Sequence, residues 1–244
     1  MIPAPTMSSV RRLATVGLVA MLVAGCAVPT VTASPSPVPP ATIAPTTPPY
    51  TLAPTMVPGA CPTTTPAAYT GTATVTMTTN FGNIVIKVDG SLGPNAAGAF
   101  LALARCGYYN NVIFHRIMPL FVIQAGDGTN GRMPNPDLSK VGQGGPSWTV
   151  TDDPVKQAYT RGTVAMARTS VANSGNSQFF IVLDKSANDS LAASGANDYA
   201  IFGSVTTGMD VADKIANLPV GGDDSPPTMP LQPVVITSMV VTTP

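Results

Sequence analysis

The sequence contains no glutamate, one histidine and few charges of either sign. All 12 acidic residues are aspartates, and 12 basic residues balance them to a formal net charge of zero. HExxH metalloproteases and zinc deaminases need a glutamate, so both classes are excluded. The single histidine, His115, excludes a multi-histidine metal site, and three cysteines without CxxC spacing exclude a cysteine-rich zinc or iron–sulfur site. A neutral chain also lacks the basic surface of a nucleic-acid binder.

The first 26 residues have the order of charged, apolar and small residues that is typical of an exported lipoprotein. Arg11 and Arg12 precede an uncharged apolar run of 13 residues, 13–25. A bilayer span takes roughly 20 residues, so this run fits the central part of a signal peptide better. It ends in LVAG before Cys26, which resembles a bacterial lipobox. We therefore expect residues 1–25 to be a leader and Cys26 to be lipidated. The alternative is a secretory signal followed by a chance cysteine.

Residues 26–68 are predicted to be an extended tether, and residues 69–244 the folded domain. Twelve prolines lie from Pro29 to Pro66, mixed with threonine, serine and alanine, and no charge occurs between Arg12 and Lys87. Such a segment cannot bury enough apolar surface to offset the entropy lost on ordering. Its composition favours polyproline II geometry. The prediction is a domain anchored by the lipid on Cys26 to the outer face of a bacterial membrane.

Two cysteines remain if the lipid takes Cys26. An exported protein meets an oxidising compartment, where an even number of cysteines favours pairing. We expect a disulfide between Cys61 and Cys106 that attaches the end of the tether to the domain. Two unrelated thiols are the alternative.

The folded domain shows strand-like patterns along most of its length. Residues 72–79 alternate with a period of two, and the next apolar run follows after a short turn signal. Helices are predicted over 95–105 and 210–218. Strands are predicted over 72–79, 84–88, 112–117, 121–125, 163–167, 179–183, 200–205 and 234–241. Eight antiparallel strands can close on themselves and remove their edges. The predicted fold is therefore mainly β, a closed eight-stranded antiparallel barrel with two helices.

Two blocks of the domain carry a recognisable pattern. Residues 114–127 read FHRIMPLFVIQAGD, and the second block reads GTVAMAR at 162–168 followed by NSQFFI at 176–181. The first block resembles the FHR…PxFxxQxGD signature of the cyclophilins, which are barrel-type peptidyl-prolyl cis-trans isomerases. The resemblance extends over about Thr72 to Val241. It implies the barrel fold and an isomerase activity.

The residue types also suit the rotation of a prolyl peptide bond. Rotation breaks amide resonance against a barrier of about 18–20 kcal/mol but makes and cuts no bond, so it needs no nucleophile, metal or cofactor. Arg116 is the expected catalytic residue, because a guanidinium can donate a hydrogen bond to the amide nitrogen and stays charged. Apolar side chains can hold the proline ring, and the amides of Gln124 and Gln178 can hold the peptide backbone.

The resemblance assigns a substrate-binding role to residues from both blocks and from the strand that follows them. They are His115, Phe121, Val122, Gln124, Ala167, Arg168, Gln178, Phe180 and Tyr199. A glycine-rich loop at 142–145 matches the loop that borders the family's substrate groove. Taken singly, Phe114, Phe121 and Phe180 could be plain core residues, since phenylalanine is commonly buried.

The sequence departs from the family pattern around the edge of the groove. Val122, Arg168 and Tyr199 stand where methionine, asparagine and histidine are usual, and Leu120 replaces a glycine. Residues 130–140 look like an insertion, and the polar segment 185–197 has no match for the family's aromatic rim residue. These changes affect substrate preference and rate more than the chemistry.

The leading hypothesis is a monomeric, membrane-anchored prolyl isomerase that acts on proline-containing segments of exported proteins and assists their folding. The alternative is a binder of such segments on the same barrel that does not catalyse. A solute-binding lipoprotein is a third class, and the two motif blocks argue against it.

Overall fold

The computed structural model describes residues 61–192, 199–221 and 228–243. The predicted leader, the lipidation site Cys26 and the tether as far as residue 60 lie outside these ranges. Within them, no helix is long and apolar enough to cross a membrane.

Alternation of buried and exposed side chains produces the first hairpin. In strand β1 (Thr72–Thr79) the side chains of Ala73, Val75 and Met77 are buried, and the threonines between them face outward. Strand β2 (Gly82–Asp89) pairs with β1 along its whole length, from Thr72 opposite Asp89 to Thr79 opposite Gly82. One face of the hairpin therefore faces the core and the other faces water, as an antiparallel sheet allows.

Six further strands complete a closed antiparallel barrel. They are β3 (Val112–Met118), β4 (Val122–Ala125), β5 (Thr163–Met166), β6 (Phe179–Val182), β7 (Ile201–Thr207) and β10 (Val235–Thr242). The order around the barrel is β1-β10-β3-β4-β6-β5-β7-β2. Outside it, β8 (Val220–Gly221) and β9 (Met229–Pro230) form a two-stranded ribbon. This architecture confirms the predicted mainly β fold and the closed eight-stranded barrel.

The described residues contain three helices instead of the two predicted. Helix α1 (Pro94–Arg105) and helix α3 (Met209–Ala216) match the predictions to within a few residues. Helix α2 (Ala187–Ala192) lies in the polar segment that was predicted to be a loop. Six residues rich in serine, asparagine and aspartate are too few to show helical periodicity. The helix is stabilised by tertiary packing, because its Ala187 and Leu191 are buried.

The core inside the barrel is built around an aromatic cluster. Phe100 from α1 lies 5.3 Å from Phe179 and 4.8 Å from Phe202, measured between ring centroids. Phe114 joins this cluster at 6.4 Å from Phe179 and is almost fully buried. Phe114 is therefore a core residue, which was one of the two readings that the sequence left open for it.

The chain segment before β1 packs against the domain. A disulfide joins Cys61 to Cys106 at the end of α1. The indole of Trp148 donates a hydrogen bond to the carbonyl of Pro62, and Thr65 donates one to the carbonyl of Thr149. The folded unit therefore extends at least to Cys61, whereas the sequence placed its boundary after residue 68. The proline- and threonine-rich composition of this segment predicts a tether, because composition does not show that Pro62 and Thr65 have hydrogen-bond partners near residue 148.

Candidate active site

Strand register places the candidate catalytic residues in one row across the barrel wall. Arg116 on β3 lies opposite Gln124 on β4, and Gln124 lies opposite Phe180 on β6. The pairing of β3 with β4 shifts between Phe114 and Arg116. Such a bulge re-aims side chains and is common beside active sites. The row therefore depends partly on the local pairing of β3 with β4 and partly on the pairing of β4 with β6, which are far apart in sequence.

A cavity of about 190 Å³ opens beside this row. Its lining includes eight residues predicted from the sequence, namely Arg116, Phe121, Val122, Gln124, Ala167, Arg168, Phe180 and Tyr199. Two more lining residues, Ser190 and Leu191, come from helix α2 and were not predicted. Leu191 is the one large apolar residue in the polar segment 185–197, and that contrast could have indicated a buried position in this segment.

The guanidinium of Arg116 faces this cavity and is held from three sides. One terminal nitrogen, Nη1, lies 3.4 Å from Oε1 of Gln124, and the other, Nη2, lies 2.9 Å from Sδ of Met118. The guanidinium carbon is 5.7 Å from the ring centroid of Phe121, within the range of a cation–π contact. Arg116 is therefore a cation fixed beside an apolar slot.

Gln178 connects the row to the glycine-rich loop. Its Oε1 accepts a hydrogen bond of 3.0 Å from Nε2 of Gln124, and its own Nε2 donates to the carbonyls of Gly142 and Gly144 at 2.9 Å each. Both amide hydrogens of Gln178 are thus used within the protein. Gln178 therefore orients Gln124, which in turn contacts Arg116. It also lines the cavity beside the glycine-rich loop, and its role in substrate binding stays a prediction.

Asp127 fixes the glycine-rich loop from below. Its Oδ2 accepts hydrogen bonds from the backbone amides of Gly142 and Gly144 at 2.8 and 2.9 Å. A side chain at position 144 would collide with this carboxylate, so the loop needs glycine there. Burial acts to raise the pKa of Asp127, but hydrogen bonds from the backbone amides of Asn130, Gly144 and Gly142 outweigh it and hold the pKa below its usual value. The carboxylate therefore stays charged and the loop stays in place.

Three predicted residues complete the groove in different ways. Tyr199 packs edge-on against Phe180, with ring centroids 5.4 Å apart. Ala167 donates its backbone amide to the carbonyl of Gln178. Arg168 also lines the slot. Its guanidinium interacts with neighbouring protein groups: Nε lies 3.6 Å from Oδ2 of Asp152, and Nη1 donates a hydrogen bond to the carbonyl of Val171. Arg168 thus shapes the groove more than it presents a free charge to it.

A second cavity of about 140 Å³ continues the groove toward the glycine-rich loop. It shares Gln124, Ala167 and Arg168 with the first cavity. A peptide that places one residue in the apolar slot can therefore extend along Gln124 into this second space.

Leu120, at the edge of the slot, has a backbone conformation that favours glycine. Its φ is 61°, in the left-handed region, and its side chain is 73% exposed. A residue with a Cβ costs about 1–2 kcal/mol there. This conformation explains why glycine is usual at the position, and no contact in the structure explains the leucine.

His115 lies behind Arg116 and is only 6% exposed. Burial is the main cause that lowers the pKa of His115 to about 4. The charge of Asp127 opposes this shift, and the charge of Arg116 adds to it. The imidazole is therefore neutral at neutral pH and borders the site without a charge of its own.

Acidification is expected to destabilise the protein through His115. Its folded pKa of about 4 lies below the unfolded value near 6.5, so the unfolded state takes up the proton first. Stability is present in full above pH 6.5 and falls as the pH drops toward 4, by on the order of 3 kcal/mol. Urea unfolding at pH 7 and pH 4.5 measures the loss. His115→Gln is the control, and an equal loss in that variant would assign the pH dependence to other groups.

The arrangement can bind an apolar ring and donate hydrogen bonds beside it. The described residues contain no cluster of three or more histidine, cysteine or acidic side chains that could hold a metal ion. A fixed guanidinium, two amides and an apolar slot suit a reaction that changes conformation and leaves every covalent bond intact.

Comparisons with known proteins agree with this geometry. The family model described as cyclophilin type peptidyl-prolyl cis-trans isomerase/CLD matches residues 74–241. A peptidyl-prolyl cis-trans isomerase of Acinetobacter baylyi is 41% identical over 173 residues, covering 68% of this chain and 83% of that protein. Peptidyl-prolyl cis-trans isomerase B of Escherichia coli is 38% identical over 178 residues, covering 68% of this chain and 98% of that protein.

A solved structure is also similar. The crystal structure of a Cryptosporidium parvum cyclophilin type peptidyl-prolyl cis-trans isomerase aligns with a TM-score of 0.57 at 26% identity. The alignment covers 71% of this chain and 99% of that one. A second structure of the same protein, determined in the presence of the dipeptide Ala-Pro, aligns with a TM-score of 0.56 at 27% identity, covering 70% of this chain and 99% of that one.

Proposed function

We propose a role in the folding of exported proteins for this chain, which belongs to the cyclophilin-type peptidyl-prolyl cis-trans isomerases. The family membership makes the chain an enzyme that interconverts cis and trans prolyl peptide bonds. The proposal adds which residue stabilises the reaction and where in the cell it takes place. The observation that carries the mechanism is the position of Arg116 beside the slot lined by Phe121 and Phe180.

The proposed mechanism stabilises the twisted amide. The slot holds the proline ring while the group that precedes it rotates. As resonance is lost, the prolyl nitrogen regains its lone pair and becomes a hydrogen-bond acceptor. Arg116 donates to that nitrogen, and its charge cannot be lost at cellular pH. Contacts with Gln124 and Met118 hold the donor in place beforehand, so little reorganisation is needed at the transition state.

The proposed substrates are proline-containing segments of unfolded polypeptides. The slot is lined by apolar side chains, and Gln124 lies between it and the second cavity, where it can contact the peptide backbone. One of the similar structures was determined in the presence of Ala-Pro, which is consistent with a dipeptide unit as the minimal occupant. We further propose that the enzyme acts as a monomer and that this mechanism needs no cofactor, because rotation about the amide bond makes and breaks no covalent bond.

The proposed location is the outer face of a bacterial membrane. Its support is the sequence alone: the arginine pair, the apolar run 13–25 and the LVAG sequence before Cys26. Three acyl chains on one cysteine would exceed the two-signal requirement for stable anchoring. The uncharged tether would then extend the enzyme toward newly exported chains.

Cys26→Ala is expected to move the full chain from the membrane fraction to the soluble fraction, because no acyl chain can be attached without the thiol. Fractionation of cells that express each form, with mass spectrometry of the N-terminal peptide, measures the change. Ser34→Ala, in the same predicted tether, should remain with the membrane. Retention of Cys26→Ala in the membrane fraction would contradict the anchor.

A further inference from the structure

Two leucines on the surface of the domain have side chains that are more than half exposed. Leu138 is 56% exposed and Leu231 is 61% exposed. Both line the same two cavities. Exposed apolar patches of this kind mark interaction sites more often than isolated exposed leucines do.

The first of these cavities begins at the candidate active site. It has a volume of about 790 Å³, and one end is lined by His115, Arg116 and Gln124. Its other end is lined by Leu138 and Leu231 together with the ribbon of β8 and β9. This volume lies in the range of ligand-binding clefts. It shares Arg116 and Gln124 with the slot, and it is lined in addition by residues that do not line the slot.

The other cavity lined by both leucines does not include Arg116. It measures about 270 Å³, and no charged side chain lines it. Six of the apolar residues that line it are Met133, Pro134, Leu138, Met229, Pro230 and Leu231. We call these six residues the Leu138–Leu231 surface. It is continuous with the substrate groove, because Leu138 and Leu231 belong to both cavities.

The wall that carries Leu138 is held in place by internal contacts. It belongs to residues 130–140, the segment that looks like an insertion. Arg132 donates hydrogen bonds to the carbonyls of Gly128, Asn110 and Tyr108, and the amide of Asp137 donates to the carbonyl of Asn130. A surface that is already ordered loses little entropy when it binds a partner.

We propose that the Leu138–Leu231 surface binds an apolar segment of the same client chain whose proline occupies the slot. This proposal rests on the proposed function. An unfolded client exposes apolar side chains as well as proline, and an uncharged apolar surface selects for them. Contact at both places makes the second binding event intramolecular, which strengthens binding without any new contact at the reacting bond. The surface would therefore direct the enzyme toward unfolded chains in preference to flexible polar loops.

The test compares matched peptides with the full chain purified in detergent. Each peptide carries one Ala-Pro bond and a Leu-Val-Leu block placed roughly five residues away, about 17 Å of extended chain. One version has the block before the proline, another has it after, and each has a partner with Ser-Thr-Ser in its place. Exchange NMR gives kcat/KM, and fluorescence anisotropy gives Kd. We expect at least a fivefold preference for the apolar block in one of the two orientations.

Variants locate the preference. Leu138→Ser with Leu231→Ser should abolish it while the rate on a short Ala-Pro tetrapeptide stays within about twofold, since the tetrapeptide carries no apolar block. Val240→Ser is the matched control, because Val240 is 59% exposed on β10 and lines neither cavity. Thermal unfolding establishes that each variant is folded.

Several results would overturn the proposal. Equal kcat/KM and Kd for apolar and polar peptides would remove the surface from client binding. If the preference for peptides with the apolar block appears only when residues 27–60 are deleted, the tether of this chain is the occupant of the surface and the proposal is wrong. A dimer in sedimentation that the double substitution dissociates would assign it to a second copy. If the tetrapeptide is not turned over, the proposed function fails, while the Kd values still decide this inference.

Discussion

Replacing Arg116 with alanine is expected to lower kcat/KM for an X-Pro peptide ten- to a hundredfold, or about 1.4 to 2.8 kcal/mol. The side chain supplies the charged donor that faces the slot between Phe121 and Phe180. Nothing else in that lining carries a charge toward the slot in the described residues, since Arg168 is directed to Asp152 and to neighbouring carbonyls. Exchange NMR at equilibrium measures the rate directly, with circular dichroism to establish that the fold is intact.

Two further variants make the Arg116 result interpretable. Arg116→Lys keeps a positive charge but cannot reach Gln124 and Met118 at the same time, so an intermediate loss is expected. Arg161→Ala removes an exposed arginine that is paired with Asp213 and should leave the rate unchanged. Equal rates for Arg116→Ala and the parent protein would exclude the proposed role of Arg116. A loss of rate without a loss of peptide affinity would separate catalysis from simple binding.

Removal of the disulfide is expected to lower the free energy of unfolding by about 4 kcal/mol, on the chain-entropy account of cross-links. The bond joins Cys61 to Cys106, which are 45 positions apart in the sequence, so the unfolded chain gains considerable freedom when the bond is absent. For a domain of this size the melting temperature should fall by roughly 8 to 16 °C. Urea unfolding of Cys61→Ser with Cys106→Ser, compared with the oxidised parent, measures the effect.

The single variant serves as the control for the disulfide. Cys61→Ser alone should lose about as much stability as the double substitution, because either change removes the same bond. The parent protein under reducing conditions should match both. A double variant within about 1 kcal/mol of the oxidised parent would show that this cross-link adds little to stability.

Strand periodicity explains why much of the fold and of the slot could be predicted. Alternation of buried and exposed residues in β1 is a local property, and the structure has that strand at the predicted bounds. Val122 and Gln124 share a face for the same reason, and both line the slot. Local pattern thus predicts which side chains point together along one strand.

Helix α2 and the role of Gln178 depend on residues that are distant in sequence. The six residues of α2, three of them polar, form a helix because Ala187 and Leu191 are buried against the domain, and that burial places Ser190 and Leu191 in the slot. Gln178 carries the same amide group whether it contacts substrate or protein. The positions of the carbonyls of Gly142 and Gly144 in the folded protein determine that its Nε2 donates to the glycine-rich loop.

The sequence by itself determined the family and the barrel and indicated Arg116 as the candidate catalytic residue, because these depend on residue types and on spacing along short stretches of chain. The tertiary structure alone decided that Pro62 and Thr65 contact the domain, that α2 lines the slot, and that Leu138 and Leu231 line a cavity together with Arg116. The physical reason is the same in each case. These features depend on burial and hydrogen bonding between segments far apart in the chain, and no local pattern records which distant segment will be the partner.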